Sequence, residues 1–271
     1  MAETSSMSMT SLAASSLAVA RSRDLLWTWT RRIIAARYQQ SVLGWLWAIA
    51  QPAAQVAIFA LIFTTFVPVD TGDVPYVLFS YAAIVPWAFM SSSLTDMTGS
   101  VVDNLQLVTK IYFPREILAI ACMLARLLDF AMASILLLGL VVYYRVPLHP
   151  ETLAVLLLVV VIQLALTLGI GLAAAAANAF LRDVRPLLIL VLQLWFYVSP
   201  IIYPLSAVPP DWRSVYALNP MVGVIEGFRA AWVDQAIPIR ELAWSGCAAV
   251  VCLVGGYWFF KKSETVFADI A

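Results

Sequence analysis

Apolar residues in this chain come in long, nearly uncharged runs rather than in alternation or narrow stripes. A bilayer core takes about 20 apolar residues of helix. Residues 44–67, 75–94, 117–144, 153–180 and 242–260 supply such runs, and residues 187–203 supply a shorter one broken by Pro200. The pattern predicts an all-α membrane protein with six spans. In residues 24–40, Leu26, Trp29, Ile33 and Ala36 share one helical face while Thr28, Arg31 and Arg32 point away. That pattern predicts an amphipathic helix lying along the membrane. Arg37 falls near the apolar face and does not fit it.

Positive residues orient the spans. Arg21, Arg23, Arg31, Arg32 and Arg37 precede the first, and Lys110 and Arg115 lie in the second connection. Arg182 and Arg185 lie in the fourth, and Lys261 and Lys262 follow the last. All fall on one side, so both termini are expected in the cytoplasm. Residues 215–232 are apolar but hold Asn219-Pro220, Glu226 and Arg229. A seventh span there would put the C-terminus outside, against Lys261 and Lys262. Short helices dipping into the outer leaflet and returning are expected, with an ordinary outer loop as the plainer alternative.

Composition agrees. The chain is 63% hydrophobic and 12% charged, with mean hydropathy +0.90. Its net charge of zero gives no field for nucleic acid. Residues 1–23 read as a disordered cytoplasmic tail. Leu12–Ala20 is no signal-peptide core, because its basic residues follow it. Cys122, Cys247 and Cys252 have neither metal nor disulfide spacing. No phosphate-binding Gly-rich loop with Lys, no His-Glu-x-x-His and no Gly-x-Ser-x-Gly is present, so neither ATP hydrolysis by that loop nor catalysis is expected.

Several residues are candidates for function. Gln51 and Gln55 lie one turn apart in the first span and should face protein or a watery path rather than lipid. Phe59, Phe63 and Phe66 follow at helical spacing, either as core or lipid-facing residues or as sugar-stacking surfaces in a pore. Trp27, Trp29, Trp45 and Trp47 fit an interfacial belt, as do Tyr76, Tyr81 and Trp87 at the other end. Arg126 and Asp129 share a helix face and should pair. Residues 104–116 put Leu107, Ile111 and Phe113 where a partner's groove could take them. The helix at 24–40 serves either as a membrane anchor or as a docking surface and guide for an anionic headgroup.

Four motifs carry a resemblance: RYQQSVLGWLWAIAQP (residues 37–52), KIYFPREIL (110–118), NAFLRDVRPLLILVLQLWFYVSPIIYP (178–204) and ALNPMVGVIEGFRAAW (217–232). In that order they resemble the permease subunits of type-2 ABC exporters of O-antigen, teichoic acid and capsular polysaccharide. The resemblance spans residues 24–262. It implies a single transmembrane domain over 24–271 in a bacterial inner (plasma) membrane. It also implies a homodimer working with two copies of a cytoplasmic ATPase that holds the ATP and magnesium. The implied substrate is a glycan on polyprenyl pyrophosphate. By position, Asn104, Leu105, Leu107, Lys110, Ile111, Phe113, Pro114 and Arg115 would couple to the ATPase. Trp29, Arg31, Arg32, Arg37, Tyr38 and Gln39 would form the interface helix and cytoplasmic gate. Gln51, Gln55, Phe59, Phe63, Trp195, Tyr197 and Tyr203 would line the conduit. A type-2 ABC exporter of a small drug or lipid would share this topology. A membrane transferase would need paired acids with a nearby histidine, and a secondary transporter an inverted repeat with buried ionisable groups.

Overall fold

A computed structural model describes residues 22–39, 44–72, 74–110, 113–147, 150–233 and 236–264. The expected tail, apart from its last two residues, lies outside them, as do Gln40 and Ile111. Among the described residues every regular element is a helix. Helix α1 spans Arg23–Tyr38, and α2 spans Trp47–Leu61 and runs on through a π-helical turn to Phe66. Helix α3 spans Tyr76–Gly99, the short α4 Leu105–Lys110, and α5 Glu116–Tyr143. Helix α6 spans Pro150–Phe180 and α7 Val184–Tyr197. Beyond them lie α8 (Pro210–Tyr216), α9 (Pro220–Val233) and α10 (Ile239–Glu264).

Among the described residues, five helices are long and apolar enough to cross a membrane: α2 with its π turn, α3, α5, α6 and α10. Helix α7 has 14 residues, about 21 Å at 1.5 Å per residue, too short to cross alone. The helix of the expected run to residue 203 stops at Tyr197, since a proline such as Pro200 disfavours the helical region for the residue before it and has no N–H of its own.

Inside a membrane, helices associate through close packing rather than by escaping water, and small residues decide where they can meet. A Cβ on Gly256 would lie 2.0 Å from the Gly169 carbonyl oxygen, and one on Gly169 would lie 2.3 Å from the Cys252 carbonyl carbon. Helices α6 and α10 therefore touch backbone to backbone. Helix α3 runs through the middle. Leu78, Ala82, Ala83, Met90, Leu94 and Met97 are fully buried on it. Gln163 of α6 donates from Nε2 to the Pro86 carbonyl at 2.6 Å, a polar tie between the two helices. Tyr76, Tyr81 and Trp87, expected in an interfacial belt, are buried in this bundle instead. Trp27 and Trp47 are exposed, as a belt requires.

Candidate functional site

Helices α2 and α3 border a groove made of two adjoining cavities, one of about 380 Å³ walled also by α1 and α5 and one of about 820 Å³ walled also by α7. Gln51, Gln55, Trp87, Ser91, Ser92 and Arg126 border both. The larger adds Ile58, Phe59, Thr95, Ile189, Leu192, Gln193, Phe196 and Tyr197. Helical spacing sets this wall. Gln51 and Gln55 are one turn apart, as are Gln193 and Tyr197, so each pair presents on one face. Amides and hydroxyls stand beside aromatic rings, which is a surface that can hydrogen-bond and stack at once.

The rings are continuous. Phe63 meets Phe59 at 6.1 Å, Phe59 meets Phe196 at 6.0 Å, and Phe196 meets Trp87 at 5.8 Å. Trp87 then meets Trp195 at 6.0 Å, edge to face. Of the seven expected lining residues, Gln51, Gln55, Phe59 and Tyr197 border the groove. Phe63 and Trp195 extend its ring series. Tyr203 lies beyond the end of α7, where its hydroxyl donates to the Tyr197 carbonyl at 3.0 Å.

One end of the groove is closed by charge. Asp96 of α3 accepts from Arg37 of α1 at 2.8 Å and from Arg126 of α5 at 2.7 Å. Asp129 accepts from the same two arginines at 3.0 and 3.1 Å, and from the Tyr38 hydroxyl. Burial, and then the bond to Asp129, raise the Tyr38 phenol pKa, so it remains a donor. The expected Arg126–Asp129 pair is present but forms half of a four-charge square. Arg37 breaks the amphipathic pattern of α1 because it points into the bundle toward two carboxylates. Each charge alone would cost about 2.5–3.5 kcal/mol at mid-membrane, whereas here both signs balance.

The other end of α7 is held by side chains of other elements. Arg229 of α9 is fully buried. It pairs with Glu226 at 2.7 Å, and its guanidinium donates to the Pro200 carbonyl at 2.7 Å and the Phe79 carbonyl at 3.3 Å. It also stacks 3.7 Å from the Phe79 ring centre. Tyr76 donates to the Ile202 carbonyl at 3.0 Å, and Asn219 donates to the Val198 carbonyl at 3.2 Å. The Trp195 indole donates to Asn219 at 2.8 Å. Non-helical backbone at membrane depth needs such partners.

The profile of the ABC-2 type transporter family matches residues 24–232. The chain belongs to that family. It is similar to the O-antigen export system permease protein RfbA of Myxococcus xanthus, 31% identical over 256 residues, covering 91% of this chain and 95% of that one. The protein of the same name from Klebsiella pneumoniae is 26% identical over 247 residues, with the same coverage. The polysialic acid transport protein KpsM of Escherichia coli is 25% identical over 218 residues, covering 78% of this chain and 84% of that one.

In this ABC-2 family chain the groove and the segment expected to couple lie apart. Asn104 donates from Nδ2 to the Ser100 carbonyl at 2.9 Å, fixing the turn between α3 and α4. Leu105 and Leu107 are half-buried on α4, and Phe113, Pro114 and Arg115 are half-buried before α5. The side chain of Lys110, and Ile111 altogether, lie outside the described residues. Arg115 bonds to Glu264, and Lys261 sits between Glu116 at 2.7 Å and Glu264 at 2.8 Å, so α10 ends beside the start of α5. On α1, Arg31 and Arg32 are exposed, Trp29 is half-buried, and the Arg32 guanidinium lies 4.7 Å from the Trp29 ring. The Gln39 backbone N–H closes the helix on the Ala35 carbonyl at 2.8 Å.

Sequence reading missed Trp87, Ser91, Ser92, Thr95, Gln193 and Phe196. Gln193 carried a usable signal, a lone amide in an apolar helix. So did the run Ser91-Ser92-Ser93. Trp87 carried none, because a buried wall ring and an interfacial ring look alike in sequence.

Proposed function

We propose that this protein is the permease subunit of an ATP-driven exporter that moves a lipid-linked polysaccharide, of the O-antigen or teichoic-acid kind, from the cytoplasmic to the outer side of the membrane. The groove of α2, α3 and α7 is the observation that carries this reading. It offers amides and hydroxyls for sugar hydroxyls, and ring faces for the C–H faces of sugars. Many such weak contacts let a polymer advance without sticking. The naming of the relatives as O-antigen export permeases supports the same substrate class.

One copy carries one such groove, and α2 and α7 leave much of their outer faces uncovered. Two copies facing each other across those helices form the conduit. Helix α7 with the irregular residues after it makes the sixth crossing, and α8 and α9 form a re-entrant outer cap. Both termini are cytoplasmic. Two copies of a separate cytoplasmic ATPase, holding ATP and magnesium, press on α4, the residues up to Arg115 and α1.

Purified permease and its cognate ATPase in vesicles test this directly. ATP should drive protection of a lipid-linked glycan from, or its exposure to, a glycan-cleaving enzyme outside. Replacing Phe113 and Arg115 with Ala should leave ATP hydrolysis and abolish that movement. Transport of a compact drug or lipid with no movement of glycan overturns the substrate assignment.

A further inference from the structure

We propose that Arg185 and Asp103 form the joint through which movement of α4 reaches α7. This rests on the reading of α4 as the coupling segment and of α7 as a wall of the conduit. Asp103 stands in the single turn Val102–Asn104, directly before α4. Arg185 stands in the first turn of α7. Its Nη1 lies 3.3 and 3.4 Å from the two carboxylate oxygens of Asp103. The pair links the expected coupling segment directly to a groove-lining helix.

The surroundings are built for the pair. A Cβ on Gly99 would lie 2.7 Å from Asp103 Oδ2 and 3.0 Å from the Arg185 guanidinium, so glycine at the end of α3 leaves room for the pair. Asn178, buried near the end of α6, donates to the Thr98 carbonyl at 3.0 Å and accepts from the Arg185 backbone N–H at 3.2 Å. The ends of α3 and α6 are therefore tied together, and the start of α7 is held to α6 by one hydrogen bond from its backbone and to the turn before α4 by one ion pair. About half of each side chain of the pair is exposed. An ion pair this exposed contributes little to folding and is screened by salt. Its significance is positional: it ties a segment that a partner pushes to a helix that lines the path.

The test uses the full-length permease with its cognate ATPase in vesicles. Spin labels at Leu190→Cys on α7 and Val254→Cys on α10 report movement of α7 against the bundle. The variants are Asp103→Arg, Arg185→Asp, the double swap and Arg185→Gln, which keeps the bulk and drops the charge. In the otherwise unaltered protein, ATP should change the label distance. Each single variant should lose that change and export about fivefold less glycan, while hydrolysing ATP at an undiminished rate. The double swap should regain most of both. Singles that move and export normally, a swap no better than the singles, or an α7 that stays still while glycan is exported, each overturn the joint. If the unaltered protein moves α7 with ATP and exports no glycan, the substrate reading fails and the joint stands.

Discussion

Helices α2 and α3 are consecutive spans of nearly equal hydropathy, 1.6 and 1.5, yet 11% of the apolar stretch of α2 is buried against 78% of that of α3. Hydropathy reports what lipid tolerates, not what protein covers. The two helices differ in what they carry. Helix α3 has Ser80, Ser91, Ser92 and Ser93 and ends on Gly99, and α5, α6 and α9 close around it. Helix α2 turns two glutamines, with Ile58 and Phe59 a turn further on, toward the groove. The bundle thus divides into a frame centred on α3 and a pair, α2 and α7, attached to it along one side.

The sharpest way to break that division is to attack the frame. Arg229→Met should destabilise the protein by about 3–5 kcal/mol, because it leaves Glu226 unpaired and the Pro200 carbonyl without its donor. Thermal unfolding in detergent checks this, and an unchanged midpoint would mean that α9 does not clamp α3. Gly256→Ala should cost about 1–3 kcal/mol by overpacking against the Gly169 carbonyl, read by the same measurement. Against the attached pair the effects change kind. Gln55→Leu should leave unfolding unaltered and reduce glycan export roughly fivefold, the worth of about 1 kcal/mol from one hydrogen bond. Ile58→Ala should move stability by no more than about 0.5 kcal/mol, since Ile58 is 58% exposed in the single chain. A larger loss in the purified protein, together with a shift from dimer to monomer, would place Ile58 between two copies.

Much of this organisation was legible beforehand. Five of the six expected spans appear as single helices within a few residues of their predicted limits, because a long uncharged run has few alternatives in a membrane. What escaped is whatever depends on partners distant in the chain. Arg37 looked like a flaw in α1 because its acceptors, Asp96 and Asp129, lie 59 and 92 residues away. Tyr76 and Trp87 looked like a belt because sequence does not show that Phe63 packs on the one and Trp195 and Phe196 of α7 on the other. The groove was half seen: the amides of α2 stood out among apolar neighbours, while the hydroxyls of α3 passed as ordinary small residues.

The way the chain leaves α7 restricts how that helix can move. The carbonyls of Val198, Pro200 and Ile202 each accept from a different side chain, supplied by Asn219, Arg229 and Tyr76. A shift of α7 along its own axis by even one residue would strip all three of their donors together. Pivoting about that seat leaves the three bonds intact, so this end of α7 serves as a fulcrum and the largest displacement falls at the opposite tip.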